Sequence, residues 1–343
     1  MTDANATAPN RRPAQAARTP KIDRDDLAGD SHAKQTAAFQ KDLREGLSSS
    51  PKWIPAKWLY DDRGSELFDH ITRLDEYYPT RVEAEIFNAA LPEIAKKVGP
   101  RVELIEPGAG NGEKAAKVLN ALDDPAAVVP FDISSDYVAR SGERLHERFP
   151  DLEIRPIVGD FFNPPDLPDH DADTNARMVF FPGSTIGNME RPFRHKLLSG
   201  FAKLAGHDGF VLLGLDLRKD RETLEAAYDD REGVTREFTA NILTRANREA
   251  GADFNPENYT AYATWNDADS RVELGVQSAA DQTVTIGSQS FEIAAGERIK
   301  TEHSYKFEID RFLKEEAEPA SLGEVERWTD PKGWYAVLLL RHT

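Results

Sequence analysis

No cysteine occurs among the 343 residues. Disulfides, thiolate-bound metals and cysteine nucleophiles are therefore excluded. No apolar run approaches the ~18 residues that a membrane-spanning helix needs. The eight histidines never fall in a His-x3-His spacing, so no metal site is expected. Gly183-Ser184-Thr185 lacks the Gly-x-Ser-x-Gly pattern of a serine nucleophile. Basic side chains are outnumbered, 43 against 60 acidic, which leaves a net charge of −17. A surface of that sign repels nucleic acid and anionic membranes, and neither is expected as a partner. Residues 1–31 are rich in Ala, Pro, Arg, Asp and Thr and carry no apolar core. They read as a disordered tail rather than a secretory signal, and a cytoplasmic location is expected. Asp169-His170-Asp171-Ala172-Asp173 has metal-ligand residue types, but its Pro- and Asp-rich setting reads as a solvated loop.

The most informative stretch is Val102-Glu103-Leu104-Ile105-Glu106-Pro107-Gly108-Ala109-Gly110-Asn111-Gly112-Glu113-Lys114. It reads as a buried strand, a glycine turn and a helix start. Alternate glycines let the backbone approach a ligand closely and adopt positive φ. The helix start contributes free N–H groups and a positive dipole end. A P-loop needs Gly-Lys followed by Ser or Thr, whereas Glu113 precedes Lys114 here and Ala115 follows it. A dinucleotide fingerprint needs its third glycine one residue later, where Glu113 stands. A carboxylate there repels pyrophosphate. The acid-x-Gly-x-Gly form resembles the first motif of class I S-adenosylmethionine (SAM) methyltransferases.

From Val102 onward, strands (102–105, 128–131, 154–158, 178–181, 210–215) alternate with helices (113–122, 135–149, 193–204). Near-continuous apolar strands alternating with helices indicate an α/β fold with a doubly wound, Rossmann-like parallel sheet. Residues 221–250 read as helix and 259–307 as antiparallel strands. A helix over 309–317 and a strand over 334–341 then return the C-terminus to the sheet. Ordered structure is expected to start near His32, where Phe39, Leu43 and Leu47 form one helical stripe. The expected division is a SAM-binding domain of residues 83–217 plus 308–343. A second, α+β substrate-binding domain takes 32–82 plus 218–307.

In such a sheet ligands sit beyond the carboxyl ends of the strands. Asp132 ends the second strand, where a carboxylate accepts ribose hydroxyls; the competing role is a helix cap beside Ser134 and Ser135. Asp160 and Phe161 end the third strand, placed either to hold an adenine amino group and stack on its ring or to form a turn. Asn188 closes the polar loop after the fourth strand, with donors and an acceptor for an ammonium and a carboxylate; a cap before Arg191 competes with that role. Glu302 and Ser304 share one face of a strand, opposite Thr301, His303 and Tyr305. Pattern alone favours a solvated face for them.

Lys57-Trp58-Leu59-Tyr60-Asp61, Glu76-Tyr77-Tyr78-Pro79-Thr80-Arg81, Gly183-Ser184-Thr185-Ile186-Gly187-Asn188 and Ala226-Ala227-Tyr228-Asp229-Asp230 together resemble the histidine-specific SAM-dependent methyltransferases of ergothioneine biosynthesis. The likeness runs from about residue 36 to the C-terminus. It implies trimethylation of the α-amino group of L-histidine to hercynine, with SAM as co-substrate and no metal. It also implies that Gly108, Lys114, Asp132, Asp160 and Phe161 hold SAM. Tyr77, Asn188 and Tyr228 would surround the histidine ammonium and carboxylate, Glu302 and Ser304 would recognise the imidazole, and Tyr60 would lie near the amine. On this reading Tyr60 and Asn188 are the catalytic residues, and Glu302 meets the cleft. Leu274 stands where some relatives carry methionine. The rival is the same chemistry on another amino acid, such as tryptophan. A monomer is expected.

Overall fold

The computed structural model describes residues 24–164, 167 and 173–343; side chains are described from residue 35 onward, Asp136 apart. Residues 1–23 of the expected tail, and 169–172 of the acidic loop, lie outside the described residues. The first helix, Arg24–Ser48, begins ahead of the expected boundary at His32. Its stripe of Phe39, Leu43 and Leu47 is fully buried.

The larger sheet has eight strands. Its central strand is Val102–Pro107, flanked in parallel by Ala127–Asp132 on one side and Ala176–Phe181 on the other. Beyond Ala127–Asp132 lie the short strands Glu153–Ile154 and Ile157–Val158. They stand where one strand was expected; Pro156 between them lacks the N–H that a ladder needs. Beyond Ala176–Phe181 lie Phe210–Asp216, then the antiparallel strands Tyr335–His342 and Leu322–Thr329. The chain winds outward one way from Val102–Pro107 and then the other, so the switch point lies between this strand and Ala176–Phe181. Successive residues of the strands serve opposite cores. Leu104, Val128, Phe180 and Leu212 pack against helix Tyr78–Val98, while Ile105, Val129, Phe181 and Leu213 pack with Leu197 and Phe201 of helix Arg191–Ala205. Burial on both faces explains the continuous apolar runs.

The second group of elements has its own core, where Phe39, Leu43, Trp58, Phe238, Ile242, Val276 and Ile299 meet. Its four-stranded sheet is ordered Lys52–Trp53, Arg298–Tyr305, Arg271–Ser278, Tyr259–Asn266. The expected helix over 221–250 is two helices, Arg221–Ala226 and Val234–Ala250. Gly233 breaks it at φ 77°, and the Asp230 carboxylate caps the second piece by accepting from Val234 and Thr235 N–H. The break leaves Tyr228 outside both helices. Among the described residues, no helix is long and apolar enough to cross a membrane.

Candidate active site

The glycine turn leaves the carboxyl end of the central strand with Gly108, Gly110 and Gly112 at φ 70°, 52° and 73°. An L side chain is strained in this region. At Gly112 a Cβ would also stand 2.7 Å from Ser141 Oγ. At Gly108 a Cβ would meet nothing within 4 Å, so the turn opens on free space. Glu106, one residue before the strand's end at Pro107, is 3% exposed. Its Oε2 has no hydrogen-bond partner among the described residues. Burial pushes the carboxyl up to about 8, against the pull of Lys114 and the Ala115 N–H. An orphaned buried acid beside an open turn suits a ligand carrying positive charge, not a pyrophosphate.

Asp132 stands on the next strand and accepts from Ser134 N–H at 3.0 Å. Burial raises its pKa, and the N–H groups of Ser134, Gly110 and Ile133 oppose the rise. Gly159 N–H donates to Asp132 O at 2.9 Å, bringing the turn at Asp160 alongside. Asp160 accepts from Phe162 N–H and from Asn163 Nδ2. Phe161 packs edge-on to Phe181. Gly108, Asp132, Asp160 and Phe161 are thus gathered at the strand ends. In this structure the Asp160 carboxylate also serves the local turn that competed as its role, whereas the helix cap that competed for Asp132 is made by Ser134, whose Oγ accepts from Tyr137 N–H. Lys114 is already paired, with Nζ 2.7 Å from Glu83 Oε2. Glu83 is buried in helix Tyr78–Val98 and also accepts from Tyr335 OH and Gly183 N–H. A Cβ on Gly214 would come within 2.4 Å of Glu83 Oε1, so a side chain there would displace it. Glu83 therefore ties the helix after the glycine turn to the loop carrying Asn188.

Tyr77 is the N-cap of helix Tyr78–Val98, about a turn and a half before Glu83. Its ring meets Tyr228 edge-on at 6.0 Å and Phe68 at 6.3 Å. Phe68 in turn packs against Tyr60 at 5.5 Å. Burial raises all three hydroxyls well above 10, and Glu302 adds to each. Tyr60 as a whole is 36% exposed. The hydroxyls remain protonated phenols at neutral pH.

Strand Arg298–Tyr305 supplies Glu302 and Ser304. A bulge between Lys300 and Glu302 leaves Thr301 unpaired and sets Glu302 opposite Leu274. Past the bulge, His303 and Tyr305 face away and bind Glu190. Glu302 has no hydrogen-bond partner among the described residues. Burial pushes it up to about 7, with Lys306 pulling it down. The carboxylates beside Tyr60 and Tyr77 in the chain are spoken for: Asp61 pairs with Arg248, and Glu76 with Arg231. Asn188 ends the turn Thr185–Asn188 and is exposed. That turn abuts the same strand, since a Cβ on Gly187 would lie 2.9 Å from Tyr305 O.

Behind this wall lies a buried cluster. Tyr228 OH and Ser304 Oγ are 2.7 Å apart. Lys306 Nζ donates to both at 2.8 Å and to Asp216 Oδ2 at 2.7 Å. Lys219 donates to Asp216 Oδ1, Tyr78 OH and Leu217 O, each at 2.6 Å. Burial would raise Asp216, but Lys306 and Lys219 outweigh it and hold the carboxyl below its usual range. Burial lowers Lys219 to about 8, with Asp216 opposing.

Residues 39–342 match the family described as histidine-specific methyltransferase, SAM-dependent. The chain belongs to this family. It is 39% identical over 318 residues to a histidine N-alpha-methyltransferase of Mycolicibacterium smegmatis, covering 91% of this chain and 97% of that one. A histidine N-alpha-methyltransferase of Mycobacterium tuberculosis is 36% identical, over 88% of this chain and 94% of its own. Ergothioneine biosynthesis protein 1 of Neurospora crassa is 28% identical, with 81% of this chain matching 32% of that protein. SAM is the family's methyl donor, and the open, acid-floored glycine turn fits its positively charged methionine end.

Sequence reasoning assigned no role to Lys306, Asp216, Lys219, Glu83 or Glu106. Lys306 continues the Glu302, Ser304 alternation by one step, and Asp216 ends a strand at the switch side, so both carried a readable signal. Glu83 carried none: a lone acid within a helical pattern does not show that three donors converge on it.

Proposed function

We propose that this methyltransferase moves methyl groups from SAM to the α-amino group of L-histidine, in three rounds to hercynine, as a cytoplasmic monomer that engages neither nucleic acid nor membrane. The observation that carries this reading is Glu302, an unpaired carboxylate set among the hydroxyls of Tyr60, Tyr77 and Tyr228. A carboxylate opposite an imidazole N–H makes a charge-assisted hydrogen bond. A tryptophan side chain offers one ring N–H and no acceptor, so it would leave the Ser304 end of the pocket unmatched. Residues 83–217 plus 308–343 hold SAM through Gly108, Lys114, Asp132, Asp160 and Phe161. Residues 32–82 plus 218–307 hold histidine.

SAM supplies an electrophilic methyl on a sulfonium, and an in-line attack by the amine lone pair needs alignment more than added chemistry. A model α-amino group titrates near about 8, so a neutral fraction exists at neutral pH. Tyr60, Tyr77, Tyr228 and Asn188 orient that amine and the carboxylate beside it. As protonated phenols the tyrosines act by hydrogen bonding and not as strong bases. Incubating the purified protein with SAM and the twenty amino acids, and weighing each by mass spectrometry, tests the reading. Mass gain on histidine up to three methyl groups is expected. Methyl transfer to another amino acid and none to histidine would overturn it.

A further inference from the structure

Lys306 lies behind the histidine side of the site with its side chain 0% exposed. An ammonium has three donors and no acceptor. Here all three are used, on Asp216 Oδ2, Tyr228 OH and Ser304 Oγ. Both hydroxyl oxygens must therefore accept from Lys306. The hydroxyls also bond each other at 2.7 Å, which takes one of their two protons. The other proton points outward. In either orientation, the outward hydroxyl has both acceptor positions filled, one by Lys306 and one by its neighbour, so it can only donate. Glu302, on the same strand face, can only accept when ionised.

Neutralising Asp216 does not by itself require Lys306. Lys219 already donates to Asp216 Oδ1, and Tyr78 OH donates to both carboxylate oxygens at 2.8 Å. The arrangement is anchored in the central sheet, because Asp216 ends strand Phe210–Asp216 and its N–H donates to Ser184 Oγ at 2.9 Å.

We propose that Lys306 is a positioning residue: held by Asp216, it makes the outward hydroxyl of the Tyr228–Ser304 pair donor-only toward the ligand, so that with Glu302 the pocket favours a ring bearing one N–H and one unprotonated nitrogen. This rests on the reading of histidine as substrate. It adds that the imidazole is bound neutral, and that a residue outside contact with the ring enforces this.

The test compares histidine with its pyrrole analogue, which keeps the ring N–H and carries C–H in place of the other ring nitrogen. In the wild type the outward donor is left unpaired by the analogue, and kcat/KM should favour histidine by about tenfold to a hundredfold. In Lys306→Met the hydroxyls are free to turn, and that preference should fall by about tenfold while SAM affinity, measured by calorimetry, stays unchanged. Adding Lys306→Met to Ser304→Ala should then change the preference little. Tyr228→Phe keeps the ring volume, and it either frees an acceptor position on Ser304 or removes the donor, so it gives the same readout if Lys306→Met does not fold. A preference unchanged in these variants, with both substrates losing kcat/KM equally, would overturn the proposal. Failure of the wild type to methylate histidine at all would overturn the functional reading instead.

Discussion

On the proposed cofactor side of the cleft, Glu83 accepts from Lys114, Tyr335 and Gly183, and Asp132 and Asp160 accept from neighbouring N–H groups. On the proposed acceptor side, Glu302 has no hydrogen bond among the described residues and is pushed up to about 7. The cofactor half is thus largely satisfied before a ligand arrives, Glu106 apart, while the acceptor half keeps its carboxylate unmatched. A half-buried carboxylate without a donor is left partly desolvated and unmatched, and a substrate that brings the donor relieves that cost. Analogues lacking it do not, which is how a site becomes selective. Generic binding of a cofactor tolerates a preformed cradle; discrimination among amino acids needs the unsatisfied group.

The sharpest way to break this contrast is Glu302→Ala. Histidine binding should weaken by about 2–5 kcal/mol, with SAM affinity unchanged by calorimetry. Equal loss of both ligands would erase the difference between the halves. Next is Glu83→Gln, which leaves one oxygen for Tyr335 and Gly183 but removes the charge and sets an NH2 donor against Lys114 Nζ. Stability in chemical denaturation should fall by about 3 kcal/mol, discounted toward the lower end because Lys114 is 43% exposed. SAM binding should weaken with it, and unchanged stability would show that the cofactor half is not held by this hub.

Glu106 sharpens the comparison from the other direction. Its folded pKa of about 8 lies above the ordinary carboxyl value, so the folded state binds the proton more tightly. That contribution is fully present below about pH 4.5 and is lost as pH rises through about 8. Glu106→Gln should therefore flatten the fall in stability between pH 5 and 9, by on the order of 2 kcal/mol. Denaturation midpoints that fall just as steeply in the variant would contradict this. The smallest effect is Gly112→Ala, where positive φ costs about 1–2 kcal/mol and the new Cβ crowds Ser141. Thermal melting should register it, and a neutral result would show that the turn relaxes freely.

The parallel strands were legible because their burial on both faces writes continuous apolar runs into the chain. The glycine turn was legible because positive φ restricts residue choice. Strand Leu322–Thr329 escaped notice: it is a sheet edge, largely exposed, and shows no sustained apolar run. The break at Tyr228 was hidden in a helical pattern, since Gly233 and the Asp230 cap act through backbone geometry that periodicity does not report. Glu302 and Ser304 could be paired by alternation, but alternation does not say which face meets a cleft. The resemblance turned that face inward, and the register opposite Leu274 gave it a structural setting.

By itself, the sequence determined the doubly wound α/β architecture, the glycine turn and its unsuitability for pyrophosphate, because these depend on local backbone rules and period. Only the tertiary structure decided which polar groups find partners. Glu83 collects donors from three separate segments, Lys306 reaches Asp216 across ninety positions, and Glu302 is left without one. Such pairing depends on side chains distant in sequence arriving at one place, and no local pattern encodes that.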